Sequence, residues 1–141
     1  MPANTAQPLR LLAVDDDAAS AELIVRVAER CGFEAFATSD SRGVISLTKA
    51  LQPDIIALDM CMPNIDAIEL FGLLAECDFK GRILIVSGQD EAVLRDAKRT
   101  AESLGLSVPW LQQKPLDFGT LRSMLKAQAE DPEAALARRA S

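Results

Sequence analysis

Short apolar runs alternate along this chain with longer stretches of helical period. Leu9 to Val14, Glu34 to Thr38, Asp54 to Leu58, Arg82 to Val86 and Ser107 to Leu111 have strand length and polar flanks. Between them, apolar residues recur every three or four positions. Leu23, Ile24, Val27, Ala28 and Cys31 form one such face, and Val44, Ile45, Leu47 and Leu51 a second. Ile68, Phe71, Leu74 and Ala75 form a third, and Val93, Leu94, Ala97, Ala101 and Leu104 a fourth. Leu121, Met124 and Leu125 form the last. Helix starts are marked by side chains that accept the orphan N–H groups of a first turn: Asp17, Asp40 or Ser41, Asp90 and Asp117. Gly32 and Gly105 end helices, and Pro53 breaks one. Pro63-Asn64 turns the chain before a helix expected over Ile65 to Cys77.

Strict βα alternation predicts an α/β fold: a doubly wound, five-stranded parallel sheet with helices on both faces. The run Asp54 to Leu58 is apolar on both faces, as a central parallel strand must be. Periodicity does not set strand order. Two orders dominate such folds, and the order 2-1-3-4-5 would place strands one and three side by side.

The polar residues that end these runs are the candidate chemistry. Asp15, Asp16 and Asp17 follow the first run, Asp59 ends the third, Ser87 ends the fourth, and Lys114 follows the fifth. In a parallel sheet all these positions lie at the carboxyl edge of the strands, where open α/β sheets bind ligands. Clustered carboxylates repel one another unless a cation resolves them. Mg²⁺ suits oxygen ligands shared with a phosphate. An Asp59 oxygen facing a phosphoryl group could act as a nucleophile and form an aspartyl phosphate. Such transfer needs charge neutralisation more than acid–base chemistry, and the metal with Lys114 would supply it. Each residue has a plainer reading. Three aspartates can simply open a helix, Ser87 can be a turn residue, and Lys114 can be a surface lysine. The plain readings fail together, because all these positions fall at matching strand ends.

Composition narrows the field. At 141 residues and 49% apolar, the chain is sized for one folded domain and is not a disordered one. No apolar run approaches a membrane span. The opening Met1 to Pro8 has no basic start and no apolar stretch, so a signal peptide is not expected and the cytoplasm is the expected location. A net charge of -6 and the absence of Tyr argue against nucleic-acid binding by this domain. The chain has no His, which removes Ser-His and Cys-His catalysis. Cys31, Cys61 and Cys77 lack zinc-site spacing and are expected as free thiols. The expected organisation is a leader over residues 1–8, a folded domain over 9–126, and an Ala- and charge-rich tail over 127–141 that reads as a frayed helix extension or the start of a linker.

The motifs Val14-Asp15-Asp16-Asp17, Leu58-Asp59-Met60-Cys61-Met62-Pro63-Asn64-Ile65-Asp66, Val86-Ser87-Gly88 and Lys114-Pro115 are specific in combination. In them the chain resembles the receiver domain of bacterial two-component response regulators, from about Leu9 to Leu125. The resemblance implies a flavodoxin-like (βα)5 fold with order 2-1-3-4-5. It implies Asp59 as phospho-acceptor. Mg²⁺ would be held by Asp16 and Asp59 directly, by Asp15 mainly through water, and by the backbone carbonyl of Cys61. Ser87 would be the switch hydroxyl and Lys114 its ionic partner, with a peptide to Pro115 that is often cis. Cys61 and Gln89 would occupy variable positions that tune phosphoryl lifetime. The implied partners are a sensor histidine kinase or phosphotransfer protein and a downstream protein or fused output domain, with a homodimer possible and no membrane.

The chain departs from the family pattern at three places. Ala67 stands where Gly is usual, Leu111 stands at the aromatic switch position with Trp110 beside it, and the stretch from Gly105 to Lys114 is longer than in chemotaxis-type receivers. Ala67 and Leu111 leave room for a receiver-like interaction module that works without phosphorylation. A small phosphatase is the third reading. No Asp-x-Asp pair occurs at Asp59, since position 61 is Cys61, and no cap domain fits the length. No enzyme beyond self-directed phosphotransfer and autodephosphorylation is expected.

Overall fold

The structure is a computed structural model that describes residues 8–60 and 66–130. Its strands are Arg10–Val14 (β1), Glu34–Thr38 (β2), Ile55–Asp59 (β3), Arg82–Ser87 (β4) and Ser107–Gln113 (β5). The helices between and after them are Ala18–Arg30 (α1), Ser41–Leu51 (α2), Ala67–Glu76 (α3), Glu91–Ser103 (α4) and Phe118–Glu130 (α5). The strands form one sheet in the order β2-β1-β3-β4-β5, and every pairing is parallel. This is the flavodoxin-like order, with β1 and β3 adjacent.

Two-residue alternation along the central strands builds a core on each face. Leu12, Val14, Ile56, Leu58, Ile83 and Ile85 point to one side. There they meet Val44 of α2, Leu70, Phe71 and Leu74 of α3, and Leu94, Ala97 and Ala101 of α4. Leu11, Ala13, Ile55, Ala57, Leu84 and Val86 point to the other side, against Ala21, Ile24 and Ala28 of α1 and Leu121 and Leu125 of α5. Each fully buried Leu, Ile or Val is worth about 1.5–3 kcal/mol.

Helix boundaries follow the capping chemistry. Asp17, Asp40, Asp66 and Asp90 each accept a first-turn N–H in their side chains. Gly32 and Gly105 take φ of +91° and +89° immediately after α1 and α4, a conformation that costs glycine little. The third helix begins at Ala67 rather than at Ile65, because Asp66 accepts from Ile68 and Glu69 and so fixes the first turn. That start puts Leu70 rather than Ile68 inward, and Ile68 is 53% exposed. Leu23, Val93 and Leu104, expected inward, are also exposed. Leu23 lies beside a narrow stripe centred on Ala21, Ile24 and Ala28. Val93 and Leu104 sit in the first turn and at the C-cap of α4.

Two departures from the family pattern have structural answers. Ala67 is the first residue of α3 and does not have a positive φ, so a side chain is accommodated there without backbone strain. The extra length before Lys114 is taken up by a bulge. Arg82 pairs with Ser107 but Leu84 pairs with Trp110, so Val108 and Pro109 together oppose Ile83. Pro109 has no N–H to contribute to a ladder, and on this edge strand none is required of it. Beyond the bulge, the register leads Ser87 to Gln113, so the strand end reaches the site edge undisturbed.

Candidate functional site

β1, β3, β4 and β5 all end at one edge of the sheet, and the polar residues at those ends converge. Asp15 follows β1 directly and is 1% exposed. Its Oδ1 accepts the Asp17 N–H at 2.9 Å, which turns the chain into α1. Its own N–H donates to the Thr38 carbonyl at 3.1 Å, a contact that ties the turn to β2. Asp59 is the last residue of β3 and is 3% exposed. Asp16 is exposed. One carboxylate oxygen from each of Asp15, Asp16 and Asp59 lies within 4.8 Å of the others.

Lys114 enters from the end of β5. Its Nζ donates to Asp15 Oδ2 at 3.2 Å and to Asp59 Oδ2 at 3.4 Å. Alternation explains the reach. Asp59 at the end of β3, and Asp15 and Lys114 one residue beyond β1 and β5, are in phase with the α1–α5 side of the sheet. The backbone N–H of Lys114 donates to the Ser87 carbonyl at 2.8 Å, and the Lys114–Pro115 peptide is cis, as the resemblance implies. Ser87 ends β4 fully buried, and its Oγ accepts the Gln89 N–H at 3.1 Å. Cys61, whose backbone carbonyl was expected as a metal ligand, lies outside the described residues.

The electrostatics follow from crowding. Burial pushes the Asp15 carboxyl above its ordinary value, and the charge of Asp59 adds to that. The Asp17 amide and Lys114 pull it down, but not far enough to win. Burial pulls the Lys114 ammonium down, yet its bond to Asp15 and the field of Asp59 outweigh that and hold it above its ordinary value. Two buried carboxylates and one lysine leave net negative charge at this edge, before the exposed Asp16 is counted. An all-oxygen, highly charged set of this kind fits Mg²⁺ better than a soft metal.

The two aromatic-switch candidates separate. Leu111 packs on the α2–α3–α4 side and Trp110 on the α1–α5 side. No aromatic ring therefore stands at Leu111's place on the α4 side. One contact was not anticipated from sequence. Gln113 Nε2 donates to the Gln89 carbonyl at 3.1 Å and joins the end of β5 to the loop after Ser87. The available signal was alternation, which puts residues 111 and 113 on one face.

Comparison with known proteins agrees with this fold. The family model "Response regulator receiver domain" matches residues 11–126. The chain is similar to the alkaline phosphatase synthesis transcriptional regulatory protein PhoP of Bacillus subtilis, 29% identical over 82 residues, 58% of this chain and 34% of that protein. It is similar to the response regulator MprA of Mycolicibacterium vanbaalenii, 31% identical over 90 residues, 64% of this chain and 39% of that protein. The matched stretch thus spans little more than a third of these curated relatives. A crystal structure of a response regulator from Colwellia psychrerythraea superposes with a TM-score of 0.76 at 31% identity, covering 87% of this chain and 98% of that one. A family match over nearly the whole folded region, on a sheet of the same order with its acidic edge intact, shows that this chain belongs to the response regulator receiver domain family.

Proposed function

We propose that this receiver domain is a phospho-accepting signalling module, phosphorylated on Asp59 by a sensor histidine kinase or phosphotransfer protein in the presence of Mg²⁺. The observation that carries the reading is the trio of carboxylates within 4.8 Å of one another, with Lys114 bridging the two buried ones. An Asp59 oxygen attacks the phosphorus. A bond forms to the aspartyl oxygen while the bond to the donor's histidine nitrogen breaks, and the electron pair stays with the imidazole.

Asp15, Asp16, Asp59 and the Cys61 carbonyl would hold the ion. When bound, it neutralises charge on the phosphoryl oxygens. Lys114 lies 3.4 Å from the acceptor carboxylate and so stands ready to pair with the new phosphoryl charge. Ser87 supplies a hydroxyl to a phosphoryl oxygen. The family is a signalling one, and the output is selection of a downstream protein or fused domain by the face that includes α4, β5 and α5.

Acetyl phosphate with Mg²⁺, followed by intact mass, tests the reading. One phosphoryl increment is expected, absent from Asp59→Asn and absent without Mg²⁺. No increment in the unaltered protein under conditions where Mg²⁺ binds, even with a panel of phosphorylated donor proteins, would reject it. The aliphatic Leu111 at the switch position favours one second reading, an interaction module that needs no phosphoryl group. Partner binding unaffected by Asp59→Asn would support it.

A further inference from the structure

The loop from Ser87 to Asp90 is the movable element of the proposed reaction, because it carries the hydroxyl that must meet the phosphoryl group. Several hydrogen bonds hold its first residues. The Lys114 N–H donates to the Ser87 carbonyl at 2.8 Å. The Gln89 N–H donates to Ser87 Oγ at 3.1 Å. The Gln113 side-chain amide donates to the Gln89 carbonyl at 3.1 Å. The first continues the β4–β5 ladder and the second lies within the loop. The third is different in kind: a side chain of the neighbouring strand, reaching across to grip the loop beyond its switch residue.

We propose that Gln113 is a positioning residue that latches the β4–α4 loop in its resting place, so that its amide does in this chain what no side chain at position 111 can do. This rests on the phospho-acceptor reading above. Gln113 and Leu111 share the face of β5 toward α4, since Trp110 and Gln112 turn to the other side, where Gln112 Nε2 lies 3.6 Å from Met124 Sδ. Leu111 has neither hydroxyl nor ring, so it offers the loop no polar contact. Gln113 is two residues nearer the loop and reaches it directly.

Asp90 follows Gln89 at once and caps α4 through the Val93 N–H at 3.1 Å. Movement of Gln89 therefore passes straight into the first turn of α4, where Val93 is exposed. The latch and the output face are joined by a single residue. A contact made only in the resting loop opposes the active one, so removing it shifts the population toward the active state. One exposed neutral hydrogen bond corresponds to about a two- to fivefold shift.

Gln113→Met keeps the length and loses the donor, at an exposed position where folding is not threatened. Two readouts separate the latch from the reading beneath it. In the metal-free, unphosphorylated protein, amide hydrogen exchange at Gly88, Gln89 and Asp90 is expected to be faster in Gln113→Met than in the unaltered chain. With Mg²⁺ and beryllofluoride as the phosphoryl mimic, Gln113→Met is expected to bind about two- to fivefold more tightly. A purely structural role for Gln113 would not raise affinity. Unchanged loop exchange overturns the latch, whatever the mimic does. Faster exchange with unchanged or weaker mimic binding overturns the switching role. If the unaltered protein takes up no mimic, the phospho-acceptor reading falls, while loop exchange still judges the latch.

Discussion

Asp15 is the residue whose energetics depend most on what else occupies the edge. Its pKa is raised, by burial first and by Asp59 second, despite the Asp17 amide and Lys114. The sign is opposite to that of a simple salt-bridged aspartate. A raised folded-state pKa means that this carboxyl contributes stability fully below its unfolded value of about 4 and loses it as pH rises through the folded value. In metal-free protein, ionising Asp15 is therefore a cost at neutral pH. A cation held by the trio reverses it, and protons compete with that cation. Thermal unfolding with and without Mg²⁺ should show a stabilisation that shrinks as pH falls from neutrality through the raised pKa of Asp15. In Asp15→Asn the shift should be smaller and nearly independent of pH. A Mg²⁺ shift that does not shrink as pH falls from neutrality toward the unfolded value of about 4 would mean that Asp15 does not take part. These aspartates were legible from sequence because each ends an apolar run. Gln113 was not: alternation puts it on the face of Leu111, but its partner, the Gln89 carbonyl, is set only by where the fold places the loop after β4.

Among the elements, strands and caps were more legible than helix faces. An apolar run buried on both sides leaves no face to misassign, and all five strands fall where the runs lie. A helix buries a stripe only as wide as its neighbour, so apolar residues beside the stripe, such as Leu23 and Ile68, look inward in sequence and face solvent in the fold. The end of α5 shows how a tertiary contact can extend an element. Composition turns Ala- and charge-rich from about Ala127, yet the helix continues to Glu130. Gln128 is buried, and its Oε1 accepts from a guanidinium N–H of Arg82 at the start of β4. Gln128→Ala removes that acceptor and should cost about 1.5–3 kcal/mol, the range for a hydrogen bond to a charged group. The loss should appear as a lower urea midpoint with faster exchange in the last turn of α5. A change within a few tenths of a kcal/mol would show that the alanine-rich turn holds by propensity alone.

Over the whole molecule, the sheet order converts scattered residues into a site. Alternation of runs predicted the parallel sheet, but the adjacency of β1 and β3 came only from resemblance, because no local pattern encodes which strands pair at long range. Once they are adjacent, Asp15 and Asp59 stand at the ends of two deeply buried strands. β1 is buried from Leu11 to Val14 and β3 along its whole length, whereas β2 at the sheet edge is largely half-exposed. Stability should be distributed accordingly. Native-state hydrogen exchange should find the amides of Leu12 to Val14, Ile56 to Leu58 and Ile83 to Val86 opening only with global unfolding. Those of β2 should open at lower free energy, through partial unfolding. If the domain signals as proposed, the consequence is a division of labour: the carboxylates of the site are fixed to buried central strands, while Ser87, which ends a third such strand, leads into a loop held by a few hydrogen bonds. Sub-global opening of β1 or β3 ahead of β2 would break that division. The acceptor would then be as mobile as the switch, and a phosphoryl group could not be read as a displacement of one against the other.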